Sequence, residues 1–111
     1  MLRVLIALFV CLFFSFIFCI LLLSGTAGDS LGYHRNSGFS TKDRDNDNNP
    51  GNCASGIMGG WWFNSCVIAN LNGYYYHGSH KSDHDGVNWR SWMGRNYSAK
   101  RAEMKIRPFD F

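Results

Sequence analysis

The sequence predicts a loop-rich α+β chain in two parts, one hydrophobic helix over residues 1–23 and a small domain over residues 24–111. Three observations carry that reading. Val4 to Leu23 is apolar except for Ser15 and two cysteines. Twelve glycines and two prolines all lie beyond that run, which implies many tight turns and few long elements. Near the C-terminus, Ala102, Met104 and Ile106 alternate with Glu103, Lys105 and Arg107, a period of two that reads as a half-buried strand.

The apolar run comes first. At about 1.5 Å per residue, a helix of this length spans a hydrocarbon core of about 30 Å. A secretory signal has an apolar region of about 7–15 residues, so the run is long for that role. Gly25-Thr26-Ala27 nevertheless supplies a small-residue cleavage site. Arg3 is the charge that precedes the run, so the N-terminus is expected to stay cytoplasmic and the remainder to cross. A signal peptide and a type II signal anchor therefore both place the domain outside the cell. Cys11 and Cys19 lie within the run and read as small hydrophobes.

Lys42 to Cys53, KDRDNDNNPGNC, is the most informative stretch of the domain. Asp43, Asp45 and Asp47 alternate, with asparagines between and after them. Carboxylates this dense repel one another unless a cation sits among them, and calcium takes such oxygen ligands with tolerant geometry. A solvated acidic turn is the other reading, because Asp and Asn are turn residues in their own right. An EF-hand is excluded: counted from Asp43, its obligatory glycine and twelfth-position glutamate are Asn48 and Ala54. From Lys42 to Gly73 mainly turns are expected, with one helical turn, and Tyr74 to Tyr76 reads as a short extended piece.

Trp61, Trp62, Trp89 and Trp92 have the faces to stack on sugar rings, but most are expected in the core of so small a domain. His77, His80, Asp83, His84 and Asp85 form a polar loop with metal-ligand residue types, for which simple solvation is the stronger reading. Asn96-Tyr97-Ser98 is a glycosylation acceptor if the domain is lumenal, and a chance tripeptide otherwise. The formal net charge of +3 is small and forms no basic stripe, which argues against nucleic acid. Ser65 and Ser91 lack a histidine–carboxylate partner at motif spacing, and no nucleophile elbow or phosphate loop occurs, so no enzyme is expected.

Five motifs in order point to one family: STKDRDND at Ser40–Asp47, the cysteines around Trp61 and Trp62, ANLNG at Ala69–Gly73, GVNWRSW at Gly86–Trp92, and EMKIRP at Glu103–Pro108. Together they resemble the fibrinogen C-terminal domain, the module of fibrinogens, ficolins, angiopoietins, tenascins and tachylectin-type lectins. The resemblance covers the C-terminal, calcium- and ligand-binding part of that module, which implies a short antiparallel sheet. The family module is much longer. SGTAGDSL, from Ser24, resembles the middle of a strand and turn, and the apolar run abuts it without a linker. A shortened or mis-assembled gene product therefore stands as a third reading of the leader, beside signal peptide and anchor. The strand at Ala102–Arg107 would then lack neighbours in the sheet and present an unpaired edge.

The resemblance also assigns residues. Calcium would be held by the side chains of Asp45 and Asp47 and the carbonyls of Asn49 and Gly51, with Asp43 contributing field. Cys53 and Cys66 would pair; a zinc site would need more thiolates or a placed histidine pair. A disulfide closing so short a loop is worth about 3 kcal/mol in the chain-entropy model. The ligand pocket would lie beside the calcium loop, with the Ser65–Cys66 peptide cis so that main-chain N–H groups face the ligand. Acetyl-sugar recognition uses an aromatic residue, a histidine and a tyrosine at positions that here are Ile57, Val67 and Asp83, with His84 adjoining. All three depart from that pattern. The expected function is an extracellular, calcium-dependent recognition module for glycan or protein ligands, with a homo-oligomer possible and membrane contact only through the leader. A receptor- or matrix-protein module without sugar binding, and a fragment without independent activity, are the alternatives.

Overall fold

The computed structural model of the protein describes residues 5–10, 21–23 and 26–108. Three small sheets and a few single turns make up its regular structure. Strand β1 (Leu5–Val10) lies between β2 (Leu21–Leu23), antiparallel to it, and β7 (Glu103–Pro108), parallel to it. Strand β3 (Ala69–Asn70) pairs antiparallel with β5 (Asn88–Trp89), and β4 (Gly78–Ser79) with β6 (Tyr97–Ser98). The helical pieces are α1 (Cys53–Gly56), α2 (Arg90–Met93) and a 3₁₀ turn at Gly32–His34.

One expectation about the leader and one about the C-terminal strand need correction. One hydrophobic helix was expected across it, and its described residues form β1 and β2 instead. A continuous apolar run without polar alternation suits a strand flanked on both sides as well as a helix, so periodicity alone does not separate them. Residues 11–20, with Cys11 and Cys19, and the first part of the cleavage tripeptide lie outside the described residues. No helix among the described residues is long and apolar enough to cross a membrane. The period-two segment is a strand, β7, but β1 pairs along it from Leu5 opposite Glu103 to Val10 opposite Pro108. Of the tyrosine run, Tyr74 makes a single bridge to Gly86.

The core is aromatic. Trp61 and Phe63 are fully buried and Trp89 nearly so, packed with Ala54, Ala69, Val67, Leu31 and Cys53, while Trp62 and Trp92 pack against that cluster half-buried. Each large apolar side chain removed from water stabilises the fold by about 1.5–3 kcal/mol.

Strands only two residues long satisfy few main-chain groups, and buried N–H and C=O groups must find partners. Buried polar side chains supply them. Asn88 accepts from the Gly86 N–H (2.8 Å) and donates to the Tyr97 carbonyl (2.8 Å), joining β5 to β6. Ser98 Oγ accepts from the Val87 N–H at 3.0 Å. His34 donates from Nδ1 to the Trp62 carbonyl (2.8 Å), so Nε2 is the acceptor for the N–H groups of Ile68 and Ala69, both at 3.2 Å. Residues 27–30 are pinned to the second helical turn by the Trp89 indole N–H on the Gly28 carbonyl (2.9 Å) and the Ser91 hydroxyl on the Ala27 carbonyl (2.8 Å).

Candidate functional site

The acidic loop is built from side chains that fold back on its own backbone. Asp45 accepts from the Asp47 N–H (3.1 Å), Asp47 from the Asn49 N–H (2.9 Å), and Asn49 from the Gly51 N–H (2.9 Å). The second oxygen of Asp47 reaches across to the Cys53 N–H at 2.8 Å, where Asn52 caps α1 through the Ala54 N–H. Partial burial pushes the Asp47 carboxyl up, but the N–H donors of Cys53 and Asn49 and a hydrogen bond shared with Asp45 outweigh it, so it lies below the ordinary value. Asp43 is held low by the Thr41 hydroxyl, 2.7 Å away, and takes no part in that pairing.

This arrangement fits a hard cation. Asp45 and Asp47 bring two carboxylates to neighbouring places in the loop, the Asp47 N–H bonded to Asp45 Oδ1 at 3.1 Å. Among the described residues neither forms an ion pair with Lys, Arg or His, and the carbonyls of Asn49 and Gly51 accept no hydrogen bond. No three His, Cys, Asp or Glu side chains gather for a metal among the described residues. Carboxylate and main-chain carbonyl oxygens are the donor types calcium takes, whereas zinc and copper favour nitrogen and sulfur.

The second wall of the site is the disulfide loop. Cys53 and Cys66 are bonded, and the Ser65–Cys66 peptide is cis. Asn49 joins the two loops by donating to Ser65 Oγ (2.9 Å), and Asn48 does so by its N–H on the Asn64 carbonyl (3.2 Å). Tyr33 and His34 support the same segment from behind: the Tyr33 hydroxyl donates to the Ser65 carbonyl (2.8 Å), and Asn64 donates to the Tyr33 carbonyl (2.9 Å). The main-chain N–H groups of Cys66 and Val67 have no acceptor among the described residues. Neighbouring main-chain donors without a protein acceptor are what a ligand carbonyl or carboxylate oxygen needs.

The remaining site residues divide. Ile57 is half-buried and packs on the core beside α1, and Val67 is itself in the core. Asp83 is exposed, but Arg95 Nε holds it at 3.1 Å and His84 Nδ1 lies 3.4 Å away. Burial lowers the His84 pKa, with Asp83 opposing. The His84 N–H is anchored on the Arg95 carbonyl (3.0 Å), and the buried Nε2 of the His84 ring has no hydrogen-bond partner among the described residues. Asn96 is exposed. Among the described residues the His77–Asp85 loop does not converge on a metal: the His80 side chain is buried, stacks on Tyr76 at 4.3 Å and meets Ser82, Asp85 and Asn88, while the His77 ring lies tilted against Tyr75 at 4.1 Å. Sequence reasoning missed Tyr33 and His34. Their partners lie 28 to 35 residues away, and no local pattern announces such a contact.

A family model described as fibrinogen beta and gamma chains, C-terminal globular domain, matches residues 15–109. The chain belongs to the fibrinogen C-terminal domain family. Among similar relatives, fibrinogen C domain-containing protein 1 of Homo sapiens is 55% identical over 85 residues, 77% of this chain and 18% of the relative. The Xenopus tropicalis protein of the same name is also 55% identical over 85 residues, 19% of its length. This chain thus spans about a fifth of those relatives. The fibrinogen-like globe domain of human ANGPTL2 superposes with a TM-score of 0.66 at 44% identity, covering 72% of this chain and 38% of that one. Lamprey fibrin D-dimer, solved with the peptide Gly-His-Arg-Pro-amide, gives 0.66 at 34% identity over 73% of this chain and 32% of that one. Members of this fibrinogen-related family are recognition modules, not enzymes.

Proposed function

We propose that the chain is an extracellular recognition domain that takes the carbonyl or carboxylate oxygen of a protein ligand beside a calcium-holding loop. The N–H groups of Cys66 and Val67, which have no acceptor among the described residues, carry this reading. Asp45, Asp47 and the carbonyls of Asn49 and Gly51 would hold the ion, which supplies fixed positive charge and stiffens the loop. The bonds from Asp47 to Cys53 and from Asn49 to Ser65 would pass that stiffness to the donors.

A protein ligand is favoured over an acetylated sugar. Ile57 and Val67, packed in or on the core, are aliphatic where the sugar-binding pattern has an aromatic ring and an imidazole, and Asp83 is engaged by Arg95. A neighbour at 34% identity was solved with a short peptide. Glycan recognition is the second reading, because an acetyl oxygen would suit the same donors. Immobilised peptide and glycan panels, probed with the full chain with and without chelator, test both. Calcium-dependent retention on peptides is expected; retention indifferent to chelator, or none on either panel, would overturn the proposal.

A further inference from the structure

Asn96 stands at the rim of the Asp83 surface. Its amide nitrogen donates to the Ser82 carbonyl at 2.8 Å and lies 3.5 Å from Asp83 Oδ1, and its carbonyl accepts from the His80 N–H at 2.8 Å. The next two residues form β6, paired with β4. Ser98 is fully buried. Its hydroxyl takes the Val87 N–H at 3.0 Å, with the Tyr76 N–H and Tyr74 carbonyl at 3.4 Å. A glycosylating enzyme reads Asn-X-Ser as a unit. In the folded domain the first residue is on the surface while the third is sealed between strands.

We propose that Asn96 accepts an N-linked oligosaccharide only while the chain is unfolded, and that closure of β4 on β6 ends its use. This rests on the secretory route in the function proposed above. In the transfer, C1 of a lipid-diphosphate-linked oligosaccharide bonds to the Asn96 amide nitrogen, the C1–oxygen bond to the diphosphate breaks, and one amide proton leaves to base. The amide keeps one N–H, enough for the Ser82 carbonyl, and Asn96 is exposed, so the modified chain still folds. Glycan addition and folding therefore compete for one tripeptide, and the sugar, once placed, screens the Asp83 face.

The test incubates the full chain in detergent with solubilised oligosaccharyltransferase and lipid-diphosphate oligosaccharide. The oxidised, folded chain is compared with the same chain reduced, alkylated and unfolded, and mass is followed. Opening of paired strands next to a core is rare, so the folded chain is expected to react at least about tenfold more slowly. The unfolded chain gains one oligosaccharide and Asn96→Gln gains none. Equal rates in the two states, no addition to the unfolded chain, or addition to Asn96→Gln would each overturn the proposal. The assay uses neither targeting nor ligand, so its failure leaves the recognition reading standing.

Discussion

At the scale of single residues, this domain depends on buried polar groups that would look like loop filler in any one-dimensional reading. Ser98 is the sharpest case, because its hydroxyl is the acceptor for a buried N–H of Val87. Ser98→Ala removes it and leaves that donor unpaired, which costs about 1–3 kcal/mol; denaturant unfolding should show that loss with an unchanged slope. His34 and His84 carry a pH dependence. Burial holds the His34 pKa down against its bond to the Trp62 carbonyl, and burial lowers that of His84 against Asp83. Both are neutral in the folded protein where the unfolded chain begins to take up protons, so stability is complete above about pH 6.5 and falls as the pH drops below it. The melting temperature is expected to be lower at about pH 5.5 than at about pH 7.5, above the range where carboxylates titrate. His34→Gln should flatten that dependence, and a dependence as steep as in the parent would contradict the assignment.

At the scale of elements, the acidic loop and the disulfide loop act as one unit. Reducing Cys53–Cys66 should cost about 3 kcal/mol of stability. It should also weaken calcium binding, since Cys53 supplies the N–H that orients Asp47; unaltered affinity in a still-folded reduced chain would show that the loops are uncoupled. A tighter geometric demand sits at Gly73, where an added Cβ would meet the carbonyls of Gly86 and Asp85. Gly73→Ala should destabilise by about 1–3 kcal/mol through overpacking, measured by thermal unfolding. Much of this level was legible. The acidic alternation, the cysteine-bounded tryptophan loop and the period-two strand each announce a local structure. Regions set by distant contacts were not legible. The His34 wedge, the Asn88 cross-link and the second helical turn at Arg90–Met93 are made by residues whose local patterns are unremarkable. The leader misled for another reason: a uniformly apolar run carries no period, and length alone favoured a helix.

At the scale of the whole molecule, aromatic burial supplies the core and short strands supply little of the hydrogen bonding. The motif order was enough to place the chain in its family, because five short signatures fall at the right spacing in 111 residues. The ligand was not legible, since Ile57, Val67 and Asp83 depart from the sugar-binding pattern and no residue motif specifies a peptide. What remains central is the proposal that the acidic loop holds a divalent ion and shapes the donors beside it. Isothermal calorimetry of the oxidised full chain with calcium, repeated on the Asp45→Asn/Asp47→Asn double variant, addresses it directly. The parent should release heat fitting one site at about 10⁻⁴–10⁻³ M. At tenfold excess over that constant it should gain about 1.4 kcal/mol of stability, and the double variant should show neither effect. No heat from the parent, or equal heat from both proteins, would contradict the account.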